Sequence, residues 1–203
     1  MKLYYKPGTC SLASHIVLRE LGEKFEIERV DTDTQKTETG EDFTQINPNG
    51  YVPALRLNNG EVLTEGASVL QYIADQHPES GLTPMAGTLA RARLQEHLNF
   101  VSTELHKAFG PFFSSTSTIE EKKAATFNVE QKMNHVEALF SDGRKHLLGD
   151  EFSVSDAYLF VVSSWTKPTG IGLDKWPNIK AFSERVSKRK NVQEAMRAEG
   201  LIN

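Results

Sequence analysis

Apolar runs of the kind that form β-strands are confined to the first third of this chain. They are Lys2–Tyr5, Phe25–Val30, Tyr51–Leu57 and Glu61–Leu63, and from residue 78 onward no strand-like run occurs. Asn59-Gly60 separates the last two runs and predicts a β-hairpin. The pattern therefore predicts a small α/β domain followed by an all-helical domain.

The first two strands are joined by a helical pattern that begins after a Pro-Gly break. Leu12, Ile16 and Leu21 recur at helical spacing, which predicts a strand–helix–strand crossover and hence a parallel pair. Residues 31–42 show no period and predict an exposed loop with one helical turn. Pro53 has no backbone N–H, so it must lie at the start of its strand or on a sheet edge. A parallel crossover and an antiparallel hairpin in one domain together predict a mixed sheet.

The helical domain follows a stretch rich in proline, glycine and small residues. A helix that opens at Thr64 or Glu65 ends near His77, and residues 78–87 read as a linker. We expect domains at 1–77 and 88–203. Four helices are predicted in the second domain: one through residues 94–105, one through residues 125–140, an all-apolar one that Ser153 and Asp156 cap, and one entered through Trp176-Pro177.

Composition narrows the class of protein. The 23 basic and 27 acidic side chains give a net charge of −4 without a basic block, so nucleic acid is not an expected partner. No secretory leader and no apolar stretch near 18 residues occurs, which predicts a soluble protein without a membrane segment. One cysteine excludes an internal disulfide and suits the cytoplasm. No metal-ligand spacing is present.

That one cysteine, Cys10, lies in the turn before the first helix. Ser11 is a plausible N-cap, and a thiol at this place meets free backbone N–H groups and the positive end of the helix dipole, which favour the thiolate. The alternative is that Cys10 is a small buried apolar residue, as cysteines often are. The local pattern leaves both interpretations open.

Several stretches, taken in order and spacing, resemble the cytosolic glutathione transferases, most closely the bacterial beta class. The similarity covers essentially the whole chain. The stretches are Lys2–His15, Asn47–Leu55, Leu63–Gly66, Thr103–Lys107 and Phe152–Tyr158. The resemblance implies a thioredoxin-like N-terminal domain that binds glutathione, a helical C-terminal domain that forms the second-substrate pocket, and a homodimer.

The resemblance also implies which residues form the site. Cys10 and His106 are the expected catalytic residues. Glutathione, the co-substrate, is expected to contact Cys10, Gln35, Val52, Pro53, Glu65, Gly66, Asn99, Thr103, Glu104, Leu105, His106 and Lys107. No metal is expected.

In the N-terminal domain the implied roles are specific. Val52-Pro53 should contain a cis peptide bond and expose the Val52 backbone to the cysteinyl unit of glutathione. Glu65-Gly66 opens a helix, where free N–H groups suit the γ-glutamyl carboxylate. The chain departs from the family at Gly66, where serine is commoner, and at Gln35, where close relatives carry lysine; both departures predict weaker glutathione binding.

In the helical domain the spacing of Asn99, Thr103 and His106 predicts one shared polar face. A polar stripe of this kind is also typical of a solvated helix surface. The resemblance implies that His106 lies near the Cys10 sulfur, where imidazole suits proton transfer near neutral pH. It further implies that Glu104 reaches the partner's glutathione in the dimer and that Lys107 adds positive charge.

The predicted activity is glutathione transfer to small hydrophobic electrophiles, with Cys10 able to form a mixed disulfide with glutathione. Thiol–disulfide exchange or peroxide reduction would then accompany conjugation. In other classes a hydroxyl stabilises the glutathione thiolate, and Tyr4, Tyr5 and Ser11 are candidates for that role. Two alternatives stay open here: a glutathione-dependent dehalogenase or isomerase, and a non-catalytic ligand-binding or interaction protein.

Overall fold

A computed structural model describes all 203 residues of the chain. Contacts between residues divide it into two units. Met1–Thr83 together with Ser187–Asn203 form the first unit, and Pro84–Val186 form the second. The last residues of the chain therefore pack with the first ones, which the sequence did not indicate. The domain boundaries inferred from the sequence stay predictions.

The first unit contains a mixed five-stranded sheet with strand order β3-β2-β1-β4-β5. The strands are β1 (Lys2–Tyr5), β2 (Glu26–Asp31), β3 (Lys36–Thr37), β4 (Ala54–Arg56) and β5 (Val62–Thr64). The β1–β2 pair is parallel and the other pairs are antiparallel, which confirms the predicted crossover and hairpin. The loop expected over residues 31–42 is wrong at β3, which pairs with β2.

Helices cover this sheet. The crossover helix α1 spans Ser11–Glu20 and α2 spans Gly66–Asp75. A 3₁₀ turn at Phe43–Gln45 follows directly after residues 31–42, the stretch in which one helical turn was expected. Every residue of Leu3–Tyr5 in β1 is buried, although successive side chains of a strand point to opposite faces. The sheet is therefore covered on both sides, and Tyr4 packs against Phe43 on the face of the 3₁₀ turn.

The second unit is helical. It comprises α3 (Leu89–Asn99), a π-helical segment (Phe100–Leu105), α4 (His106–Ala108), α5 (Gly110–Phe113), α6 (Ile119–Leu139), α7 (Val154–Ser164) and α8 (Pro177–Ser187). Helix α7 is buried on every side up to Ser163, as its apolar sequence predicted. None of the helices combines the length and the apolar character needed to cross a membrane.

A buried carboxylate holds the start of α7. Asp156 is fully buried, and one of its oxygens accepts hydrogen bonds from the backbone N–H and the hydroxyl of Ser153, at 2.9 and 2.6 Å. Its other oxygen accepts from the Leu147 N–H at 2.8 Å. The predicted capping box is confirmed, and the structure adds that the same carboxylate fixes the preceding loop.

The chain ends in a further helix, α9 (Lys190–Ala198), which packs along α1. Its apolar residues Val192 and Ala195 are buried. At the C-terminal end of α1, the carboxylate of Glu20 accepts hydrogen bonds from Arg189, at 2.7 and 3.1 Å, and from Asn191, at 3.0 Å. The crossover helix is thus held by the end of the chain.

The double role of Asp156 gives a stability prediction. We expect Ser153→Ala, which removes the hydroxyl of the capping box but leaves both backbone N–H groups bonded to Asp156, to lower the free energy of unfolding by about 1 kcal/mol. Asp156→Ala leaves two buried backbone N–H groups without acceptors and should cost about 3 kcal/mol. Urea unfolding of both variants measures the difference. Equal costs would contradict the assignment of Asp156 to the loop as well as the cap.

Candidate functional site

Cys10 is the N-cap residue of α1, half-buried and reduced. Ser11, which the sequence suggested as N-cap, is instead the first helical residue. The N–H groups at the start of an α-helix lack intrahelical acceptors and carry the positive end of the helix dipole. The thiol therefore lies where a sulfur anion is stabilised, with one face open to solvent.

The turn before Cys10 is held by side chains of its own residues. The Thr9 hydroxyl donates to the Lys6 carbonyl at 2.8 Å, and Thr9 Oγ1 lies 3.0 Å from Ser11 Oγ. The Ser11 hydroxyl also accepts from the Lys6 N–H at 3.3 Å. Ser11 is fully buried, so its hydroxyl builds the turn and is not free for a ligand.

The thiol also contacts the loop that leads into β4. Cys10 Sγ donates to the Val52 carbonyl at 3.3 Å. The Val52–Pro53 peptide bond is cis, as the resemblance implied. The structure therefore brings together two of the predicted site residues, Cys10 and Val52, from stretches 42 residues apart.

The two tyrosines of β1 are mostly buried. Tyr4 is fully buried and Tyr5 is 7% exposed. Burial raises the pKa of both phenols, so neither provides an acidic hydroxyl. The Tyr4 and Ser11 hydroxyls are therefore not free to stabilise a glutathione thiolate, whereas the role suggested for Tyr5 stays a prediction.

Glu65 and Gly66 form the entry to α2. Glu65 has φ +67° and ψ 111°, a strained conformation for a residue with a side chain, and its carboxylate is exposed. Strain of this kind costs about 1–3 kcal/mol and is concentrated at functional sites. Gly66 and Ala67 open the helix, so their N–H groups have no intrahelical acceptor and can bind a carboxylate.

Gln35 also has a positive φ, +57°, but its side chain turns inward. Its amide donates to the carbonyls of Thr32, at 2.6 Å, and Gly50, at 3.3 Å. Gly50 has φ +68°, which favours glycine, and a Cβ atom there would lie 2.6 Å from the Gln35 amide oxygen and displace that side chain. In this conformation the Gln35 amide fixes two loops; its contact with glutathione stays a prediction.

In the second unit, the helix that carries the other candidates is not a regular α-helix. Phe100–Leu105 form a π-helical segment, whose backbone hydrogen bonds span five residues and not four. The prediction that Asn99, Thr103 and His106 share one face assumed α-helical spacing, so it does not hold through this segment. Asn99 and Thr103 remain neighbours, since the Thr103 hydroxyl donates to the Asn99 carbonyl at 2.9 Å. Both are exposed.

His106 faces an aromatic cluster. Its Nδ1 lies 2.9 Å from the Tyr158 hydroxyl, and its ring meets the edge of Trp165 at a centroid distance of 4.7 Å. Burial, followed by the positive charge of Lys107, lowers its pKa to about 4. The imidazole is therefore neutral at pH 7. It can donate or accept a hydrogen bond, but it is not the proton carrier near neutral pH that the sequence suggested.

The remaining candidates differ in accessibility. Glu104 forms an ion pair with Lys132 of α6, and both side chains are partly exposed. The Leu105 side chain is fully buried, so any contact it makes to a ligand must use its backbone. Lys107 is exposed and, with Glu121, lines a surface groove of about 330 Å³ beside α6.

Trp165 is the centre of the aromatic cluster, which sequence reasoning named only as a source of apolar surface. Phe109 and Phe113 contact it edge-on, at centroid distances of 5.7 and 5.4 Å. Trp165 is 6% exposed, whereas Phe113 is 57% exposed. The cluster therefore consists of a buried tryptophan, Trp165, against which an accessible phenylalanine, Phe113, packs.

Comparison with known proteins gives full-length similarity. The descriptions "Glutathione S-transferase, N-terminal domain" and "Glutathione S-transferase, C-terminal domain" match residues 8–76 and 100–190. The glutathione S-transferase GstA of Escherichia coli O157:H7 is 41% identical, over 99% of this chain and 100% of its own.

Two solved structures are also similar over their whole length. A bacterial beta class glutathione S-transferase of Sphingomonas chungbukensis is 46% identical, with a TM-score of 0.97 and complete coverage of both chains. A sphingomonad glutathione S-transferase complexed with glutathione is 46% identical, with a TM-score of 0.95 and the same coverage. These findings confirm the resemblance to the beta class that the sequence motifs indicated.

The burial of His106 gives a prediction that NMR can check. Its imidazole resonances, assigned by their loss in His106→Asn, should stay unchanged from pH 8 to pH 5 and titrate with a midpoint of about 4. Because an unfolded histidine titrates at about 6.5, the unfolded chain binds more protons between these values, and the contribution of His106 to stability falls as the pH falls through this window. A midpoint near 6.5 would contradict the assigned burial.

Proposed function

Because this chain belongs to the glutathione S-transferase family, we propose that Cys10 is the residue that reacts with the sulfur of its substrate, glutathione. The chain is a glutathione transferase. The observation that carries the proposal is the position of Cys10 as N-cap of α1, half-buried beside the Val52 carbonyl. The hydroxyls of Tyr4 and Ser11 are buried, so they do not compete with the Cys10 thiol.

The first unit offers groups for the rest of the peptide. We assign the γ-glutamyl carboxylate to the N–H groups of Gly66 and Ala67, with the exposed Glu65 carboxylate available to the ammonium group. The cysteinyl unit is assigned to the Val52 backbone, beside Pro53. The strained backbone of Glu65 supports this assignment, because such strain persists where a fixed geometry is needed.

The thiol chemistry proceeds in two balanced steps. The Cys10 thiolate attacks the glutathione sulfur of a disulfide between glutathione and a second thiol, that disulfide bond breaks, and the second thiolate leaves, so that Cys10 and glutathione form a mixed disulfide. A second glutathione thiolate then attacks the mixed disulfide and releases glutathione disulfide and the Cys10 thiolate. The chain has no second cysteine, so an external thiol must complete the cycle.

Conjugation uses glutathione as the nucleophile. Its thiolate attacks an electrophilic carbon and the leaving group departs with the bonding electrons. The accessible face of Phe113 in the Trp165 cluster favours a small aromatic electrophile. We propose that His106 acts in this chemistry as a neutral hydrogen-bonding group; its approach to the Cys10 sulfur, like the contacts of Asn99, Thr103 and Lys107 with glutathione, stays a prediction.

We further propose that the protein acts as a homodimer in the cytoplasm. The family resemblance assigns Glu104 a contact with the partner's glutathione, which would require the carboxylate to leave its ion pair with Lys132. Sedimentation at micromolar concentration should give twice the mass of the chain. A monomeric mass would remove this role of Glu104.

The role of Cys10 predicts distinct effects on two activities. Cys10→Ala should lower glutathione-dependent disulfide exchange by at least a factor of about 100, because the nucleophile is lost. Retention on immobilised glutathione should persist, since Val52, Glu65 and Gly66 are unchanged. Assays with a disulfide, a peroxide and an aryl halide separate the reactions. Full disulfide exchange by Cys10→Ala would refute the proposal.

The aromatic cluster predicts a substrate-specific effect. Phe113→Ala should raise the KM for an aryl halide by a factor of about 5, since it removes an aromatic contact worth about 1 kcal/mol. Glutathione-dependent disulfide exchange should not change. Phe127→Ala, which removes an exposed phenylalanine of α6, is the matched control. Equal effects of the two substitutions on KM would exclude a binding role for the cluster.

A further inference from the structure

The C-terminal segment places a buried carboxylate against the turn that carries Cys10. The Glu199 side chain is completely buried, and it follows α9 directly. One oxygen accepts from the backbone N–H of Gly8 at 2.9 Å. The other lies 2.9 Å from Nδ1 of His15, which is itself fully buried in α1.

The hydrogen bonds fix the proton positions in this cluster. The Arg19 guanidinium donates through Nε to Nε2 of His15 at 3.0 Å, so Nε2 must accept. The imidazole proton is then on Nδ1 and is donated to Glu199. The carboxylate is thus connected to the positive charge of Arg19 through a neutral ring. Tyr5 also faces this cluster, and Glu194 of α9 lies 3.7 Å from the Arg19 guanidinium.

Gly8 is the residue through which this cluster reaches the turn. It has φ +71°, and a Cβ atom there would lie 3.3 Å from the Leu201 side chain. Thr9 and Ser11 bond the turn to Lys6 on its strand side, whereas Glu199 holds the Gly8 N–H from the other side. One residue, Thr9, separates Gly8 from Cys10.

We propose that Glu199 is a positioning residue for Cys10: its buried carboxylate, through Gly8 and His15, fixes the turn that presents the thiol to glutathione. The inference rests on the proposed role of Cys10. It gives the C-terminal segment a part in the reaction, because the segment supplies a hydrogen bond to this turn from the far end of the sequence.

Only a carboxylate satisfies both partners. Gly8 and His15 are both donors toward Glu199, and each carboxylate oxygen accepts one of them. A glutamine has one accepting oxygen and one donating NH₂ group. Its NH₂ group would face either the Gly8 N–H or the His15 Nδ1–H, donor against donor. Glu199→Gln therefore changes the turn with little change in side-chain volume.

A matched control exists at the other end of α1. Glu20 is also a mostly buried carboxylate that joins α1 to the C-terminal segment, through Arg189 and Asn191. It lies about 15 Å along the helix from Cys10, at 1.5 Å per residue. Glu20→Gln should weaken the packing of the segment without reaching the turn.

The test is the pH dependence of Cys10 alkylation by iodoacetamide in the full chain, recorded beside the melting temperature. In wild type we expect a midpoint clearly below the value of about 8.5 of a free thiol. Glu199→Gln should move the midpoint toward that value and lower disulfide exchange by a factor of about 10 or more, since small displacements of reacting groups have large effects on rate. Glu20→Gln should lower only the melting temperature.

The other outcomes are also decisive. A midpoint in Glu199→Gln that equals wild type, or that falls because a negative charge is removed, would overturn the positioning role. If Glu199→Gln does not fold, Glu199→Asp replaces it in the test, because aspartate keeps both acceptor oxygens but is shorter by one methylene. The midpoint of Cys10 alkylation in Glu199→Asp must then lie above the wild-type midpoint, by less than the shift expected for Glu199→Gln. A wild-type midpoint near 8.5 with full activity of Cys10→Ala would instead refute the proposed role of Cys10.

Discussion

The parallel pairing of β1 with β2 is the constraint on which the site depends. Two consecutive strands can be parallel only if the chain crosses back between them, and here α1 makes the crossing. The helix must then begin just beyond the carboxyl end of β1. Cys10 is the residue at which the helix begins. It therefore lies beyond the carboxyl end of the central strand and at the positive end of the helix dipole.

Most of the first unit could be predicted from local patterns. The hairpin followed from Asn59-Gly60, and Pro53 lies directly before β4, as a residue without an N–H must. The two-residue strand β3 could not be predicted, because it is too short to show a period and exists only through pairing with β2. Helix α9 did leave a signal, the spacing of Val192, Ala195 and Met196, but its packing on α1 is a long-range contact that no local pattern encodes.

The candidate site shows the same division between local and long-range information. The position of Cys10 at a helix start is local, and it was predicted to within one residue of the true N-cap. The low pKa of His106 is only partly local: the charge of Lys107 is next to it in the sequence, but burial, the larger cause, involves packing against Tyr158 and Trp165, more than 50 residues away. The π-helical segment before His106 has no sequence signature, so an argument from 3.6 residues per turn could not describe that helix.

The central claim is that the fold itself makes Cys10 reactive toward glutathione. Because the chain has one cysteine, the native protein and the same chain unfolded in urea present the same single thiol. The most direct measurement is the rate at which each forms a mixed disulfide with glutathione disulfide at pH 7, followed by intact mass. We predict one glutathione per chain and a native rate at least about tenfold above that of the unfolded chain, as a stabilised thiolate requires. A native rate equal to or below the unfolded rate would contradict the account.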